Sequence, residues 1–178
     1  LLIMLTLFVG LSGMWSIESR LRVIVDEHHI KTALVTTMRN AASARAMSLY
    51  KMLLLTNKFE REQEQYPFHQ YLLKFNTARD SLMSMSLSSA ELKILLSEYN
   101  ISERSLMLQD QVMSLLAQEQ MGLASQMLYT ESLPLQGQQI NLLENLIELQ
   151  QAASHRASSE AQAAFSSMLT LTITLGGL

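Results

Sequence analysis

From Leu1 to Leu55 the chain contains no proline, and the two glycines of that stretch, Gly10 and Gly13, sit in an uncharged lead-in. Beyond the lead-in, Leu34, Met38, Ala41, Ser48, Met52 and Leu55 recur at four- and three-residue steps, with Arg45 on the same line. That spacing makes one seam along a helix. A helix from Leu1 to Leu55 would be about 80 Å long at ~1.5 Å per residue, longer than the core of a small domain. The economical solution is a helix that leaves a membrane and becomes the first strut of a bundle.

The two ends support this. Leu1 to Ile17 carries no charge and places Trp15 near its exit, where an interfacial aromatic belongs. Ser166 to Leu178 is again uncharged. Each falls short of the ~20 residues that span hydrocarbon, and both abut the ends of the sequence. We therefore expect two truncated transmembrane helices, over 1–17 and 165–178, around an intervening domain of residues 18–164. A cleaved signal peptide is the rival for the first segment. It lacks a basic leader and a small-residue cleavage site, and would leave the second apolar tail unexplained.

Between the ends the pattern is helical throughout. Six glycines and two prolines in 178 residues are too few for a turn-rich β fold. Thr56-Asn57-Lys58 ends the first helix, and Asn57 with Glu60 has capping-box spacing. The second helix carries Phe68, Tyr71, Phe75, Ala78, Leu82 and Met85 inward, with Pro67 expected to kink or restart it. Ser88 and Glu91 form a second capping-box pair, opening a third helix whose core line is Leu92, Leu95, Tyr99, Leu106, Met113 and Leu116. A short helix over Met121 to Tyr129 then ends at a turn, Thr130 to Leu133, with Ser132 as cap and Pro134 in the first turn of the last helix. That helix runs through Ile140, Leu143 and Ile147 into the apolar tail. The expected fold is all-α, an antiparallel up-down four-helix bundle flanked by the two membrane helices. Between Gln150 and Ala164 the last helix has no large aliphatic or aromatic residue. Thin packing of that kind opposes sliding or rotation only weakly.

Little catalytic chemistry fits this chain. It has no phosphate loop, no nucleophile elbow, no His-Glu-x-x-His and no cysteine. A net charge of −3 without a basic run excludes a nucleic-acid surface. No cofactor or metal site is expected, and the twelve methionines are spread along the helices as core fillers. Three histidines, His28, His29 and His155, fall at a similar height, roughly 15 Å beyond the apolar ends at ~1.5 Å per residue, a possible pH or metal cluster. Arg45 stands on the buried seam, where a guanidinium needs a partner. It is an internal ion pair, a long side chain reaching the surface, or an anion-binding arginine at a bundle or dimer interface. Arg39 is offset around the helix and is expected to pair structurally with Glu144.

Two runs, MRNAASARAMSLYKMLLLTNKFERE from Met38 and FNTARDSLMSMSLSSAE from Phe75, carry a resemblance. They are similar to the extracytoplasmic four-helix-bundle sensor of the methyl-accepting chemoreceptor superfamily. More narrowly, they resemble the version found on bacterial membrane diguanylate cyclases and cyclic-di-GMP phosphodiesterases. Arg39, Asn40, Arg45, Leu49, Tyr50, Met52, Leu53, Phe59, Glu60, Arg61, Ala78, Arg79 and Asp80 match that pattern. The resemblance implies a homodimeric, ligand-binding domain in the periplasm, anchored in the bacterial inner membrane, whose last helix moves to drive a cytoplasmic output module. It also implies ligand contacts from the first and last helices, for which Arg45, Arg39, Asn40 and Gln138 are the candidates. The arginine spacing does not reproduce that of the aspartate and serine receptors, so no amino-acid ligand is implied. A membrane-anchored scaffold that sets oligomeric state or recruits a partner protein would use the same seams and is the alternative.

Overall fold

The computed structural model describes the backbone of residues 2–176 and the side chains of residues 27–167 and 170. It is helical: α1 (Leu2–Leu54), α2 (Lys58–Met83), α3 (Ser89–Ala117), α4 (Met121–Met127), a π-helical turn (Leu128–Ser132) and α5 (Leu133–Gly176). The chain divides into two compact units, residues 33–148 and residues 1–32 with 149–178. Among the described residues no helix is long and apolar enough to cross a membrane. The expected spans at 1–17 and 165–178 fall largely outside the residues whose side chains are described.

The larger unit is a four-helix bundle. Its short connections force neighbouring helices to run antiparallel. Side-chain bonds fix the neighbours: Ser48 donates to Glu64 (2.9 Å), tying α1 to α2, and Gln136 Nε2 donates to the carbonyl of Ala42 (2.6 Å), tying α5 to α1. The seam of α1 is confirmed, since Met38, Ala41, Arg45, Ser48 and Met52 are buried, and so is that of α2, where Phe68, Phe75, Ala78 and Leu82 are buried. At the hairpin end Leu49, Met52, Phe68, Val112, Leu116, Ala124 and Leu128 form one apolar cluster. Full burial of each large side chain there contributes about 1.5–3 kcal/mol.

Local signals were obeyed unevenly. Ser88 and Glu91 form the reciprocal capping box. Asn57 also caps its helix, but it accepts from the N–H of Phe59. Pro67 neither ends nor restarts α2, which runs through it. Phe68, fully buried just after it, holds the helix in phase with Phe75, and packing outweighs one lost backbone bond. α3 ends in a Schellman motif, with the N–H of Gln120 on the carbonyl of Leu115 (2.9 Å) and that of Glu119 on Leu116 (3.1 Å). The left-handed position, usually glycine, is Glu119 at φ 60°.

The expected turn at Thr130 to Leu133 is absent. The chain stays helical and widens instead, the N–H of Leu133 bonding the carbonyl of Leu128. Ala124, Leu128 and Ser132 are all buried at successive four-residue steps. Two such steps would carry the face of a 3.6-residue helix round by about 80°, and the wide turn absorbs that drift. Ser132 is therefore not a cap. Its hydroxyl is buried without a partner.

Candidate functional site

The third helix departs most from its expected packing, and its departure builds the site. Leu92 and Tyr99 are exposed, and Leu106 and Met113 only half-buried. The buried line is instead Glu91, Leu95, Glu98, Ser105, Gln109, Val112 and Leu116. These positions keep strict four- and three-residue steps, with half-buried Ser102 completing the ladder. Polar residues thus occupy the core stripe between two apolar anchors, and a hydropathy count steps around them.

Arg45 faces this ladder from α1. It is 5 % exposed, and its guanidinium carbon lies 4.7 Å from the centre of the Phe68 ring, a cation–π contact. Its Nε and Nη2 are buried with no hydrogen-bond acceptor. Burial holds its pKa down to about 10, against partial relief from the charge of Asp110, which is itself exposed. Among the described residues Arg45 thus forms no ion pair with a carboxylate.

Other buried groups of the bundle are also incompletely paired. Glu98 is fully buried, with Oε1 accepting from Gln139 Nε2 (2.9 Å) and Oε2 unpartnered. Burial pushes its carboxyl above the ordinary range, opposed by the Gln139 bond and the charge of Arg79. Arg79 in turn lies over the Phe75 and Tyr99 rings. Gln109 donates to Ser105 (3.2 Å) but its own carbonyl oxygen is unpartnered. Buried polar atoms without partners are rare in native folds, and each calls for a physical explanation.

The remaining predicted ligand residues are not brought to Arg45. Arg39 Nη2 donates to Asn40 Oδ1 (3.3 Å) near the surface, and Asn40 is exposed. Among the described residues no ion pair joins Arg39 to Glu144, which is exposed. Gln138 is exposed as well, because Gln136 and Gln139 take the inward positions on either side of it. Sequence reasoning missed Glu98, Gln109, Gln136 and Gln139. The strict ladder through Leu95, Val112 and Leu116 was the signal that could have found the first two.

The smaller unit holds the three histidines. His28, His29 and His155 line one cleft of about 330 Å³ with Thr32, Gln151, Ser154 and Ser158. His28 Nδ1 lies 2.9 Å from Gln150 Oε1, and Lys31 is buried beside Glu27 (3.0 Å). Among the described residues no group of three or more ligating side chains is close enough to hold a metal ion.

No curated protein and no solved structure matches the chain with significance. The profile of one family, described as a four helix bundle sensory module for signal transduction, matches residues 1–165, most of the sequence. The chain belongs to the four-helix-bundle sensory modules for signal transduction.

Proposed function

We propose that this sensory module is the periplasmic domain of a dimeric receptor in a bacterial inner membrane. Its last helix passes the signal to a cytoplasmic output module, a cyclic-di-GMP enzyme. The uncharged ends, Leu1 to Ile17 and Ser166 to Leu178, support membrane anchoring on both sides of the bundle. A stripe on α1 supports the dimer: Asn40, Met47 and Leu54 recur at seven-residue steps, with Met47 65 % and Leu54 63 % exposed. That is the spacing of a coiled-coil seam.

The observation that carries the signalling mechanism is the unsatisfied interior. Arg45 on α1, Glu98 and Gln109 on α3 and Ser132 at the head of α5 each keep a buried polar atom without a partner. A packing that leaves such atoms unpaired forfeits about 1–3 kcal/mol for each. An alternative placement of α5 that pairs some of them is therefore close in energy. A stimulus that favours one packing then shifts the population. The α5 helix is unbroken from Leu133 to Gly176, so its displacement can be delivered to whatever follows.

The test is a fusion of residues 1–178, in membranes, to a diguanylate cyclase reporter whose activity depends on dimer geometry. Arg45→Met and Glu98→Gln should each shift the basal output in a fixed direction. Output unchanged in both variants, with the fusion folded and inserted, refutes the mechanism and favours a membrane-anchored scaffold.

A further inference from the structure

At the hairpin end, where α1, α2 and α3 converge, lies a cleft of about 160 Å³ that the polar ladder does not use. Its apolar lining is Met52, Met113 and Leu116; Arg61 and Gln65 stand in its wall, and the exposed Lys58 and Glu62 at its rim. An apolar cavity of about this size is large enough to take a benzene ring.

Arg61 is the unusual wall of this cleft. Its residue is only 8 % exposed. A guanidinium so buried ordinarily holds a carboxylate in a two-bond fork. Here Nη1 is 3.4 Å from the thioether sulfur of Met121, a weak acceptor. Nη2 is 4.0 Å from Glu119, whose side chain is 66 % exposed. The counterion is thus loose and solvated, and it comes from the residue held in the left-handed conformation at the end of α3. A glycine would occupy that backbone position without steric cost. A glutamate there supplies Arg61 with a carboxylate that a closer and less solvated one can replace.

We propose that this cleft binds a small carboxylate with an apolar body of about the size of benzoate. The carboxylate engages Arg61 in place of Glu119, and the apolar body rests on Met52, Met113 and Leu116. Lys58 adds a second positive charge at the rim, while Glu62 sets a limit on dianionic ligands. The site deepens the sensory reading by naming a stimulus class, and rests on that reading only for the consequence of binding. Occupancy withdraws Arg61 from Glu119 and so loosens the link between the start of α2 and the turn after α3.

Isothermal titration of the 178-residue chain in nanodiscs, with benzoate and its neutral isostere benzamide, tests this directly. Benzoate should bind at one site at least tenfold more tightly than benzamide. Arg61→Met should abolish that preference, and Glu119→Gly should tighten benzoate several-fold. Equal binding of the two probes, no binding of benzoate, or a preference that survives Arg61→Met overturns the proposal. If Arg61→Met fails to fold by circular dichroism, Glu119→Gly decides alone, and unchanged or weaker benzoate binding overturns it. Binding to the wild type that leaves the reporter fusion silent refutes the sensory reading and leaves the site standing.

Discussion

Replacing Arg45 with methionine should stabilise the bundle, an outcome opposite to that of most core substitutions. The depression of its pKa by burial, to about 10, corresponds to about 3 kcal/mol of unfavourable free energy for keeping the charge in the fold. The contact with Phe68 offsets up to about 2 kcal/mol of that, the contribution of a desolvated cation–π pair. Methionine keeps the length of the stem and needs no acceptor. The expected net gain is about 1–2 kcal/mol, or a Tm increase of about 2–8 °C for a chain of this size. Thermal and urea unfolding followed by circular dichroism measures it. The pH dependence has a fixed sign. Below the folded pKa both states hold the proton and the penalty is complete. Above about pH 10, and up to the higher unfolded pKa, the unfolded chain binds more protons than the fold, so wild-type stability rises with pH. The advantage of Arg45→Met should therefore shrink above about pH 10. A variant destabilised by more than about 2 kcal/mol would refute the reasoning, because it would mean the guanidinium has a structural partner.

Glu98→Gln should also stabilise at neutral pH, keeping the bond from Gln139 while removing a buried charge. The folded carboxyl titrates above its unfolded value, so wild-type stability is fully present below the unfolded pKa and is lost as pH rises through the folded one. The gap between variant and wild type, measured by urea unfolding, should close on acidification. Ser88→Ala removes one arm of the capping box and should cost about 1 kcal/mol in the same assay. Glu119→Gly relieves the left-handed backbone and should gain about 1 kcal/mol in the absence of ligand. Met47→Cys should form a disulfide-linked dimer in membranes under mild oxidation, and a monomeric product would refute the α1 stripe as the dimer seam.

Much of the bundle was legible because apolar spacing and caps act locally. The stripes of α1 and α2 read directly, since Met38, Met52, Phe68, Phe75 and Leu82 are both apolar and in phase. The α3 stripe did not, because Glu98, Ser105 and Gln109 occupy inward positions that hydropathy assigns to water. Their burial depends on facing residues of other helices, and a spacing ladder carries that information better than residue type. Arg45 was found by phase alone, but its lack of an acceptor is a property of the whole interior. Arg61 was noted only as part of a resemblance. Its weak partners, Met121 and Glu119, lie some sixty residues away and meet it only through the fold. Gln138 was misplaced by a single step, since one residue along a helix turns the side chain by about 100° and the inward position is Gln139.

The wide turn at Leu128–Ser132 has a mechanical meaning for the helix that follows. A π turn is an α-helix with one residue too many, held in place by a bonding ring one member longer than its neighbours. If that surplus residue is passed forward or absorbed, everything beyond it advances by about 1.5 Å and rotates by about 100°, with no break in the backbone ladder. The bundle thus carries an expansion joint where its last helix begins. The size of its step is set by the covalent geometry of one amino acid, and is therefore the same whatever stimulus drives it.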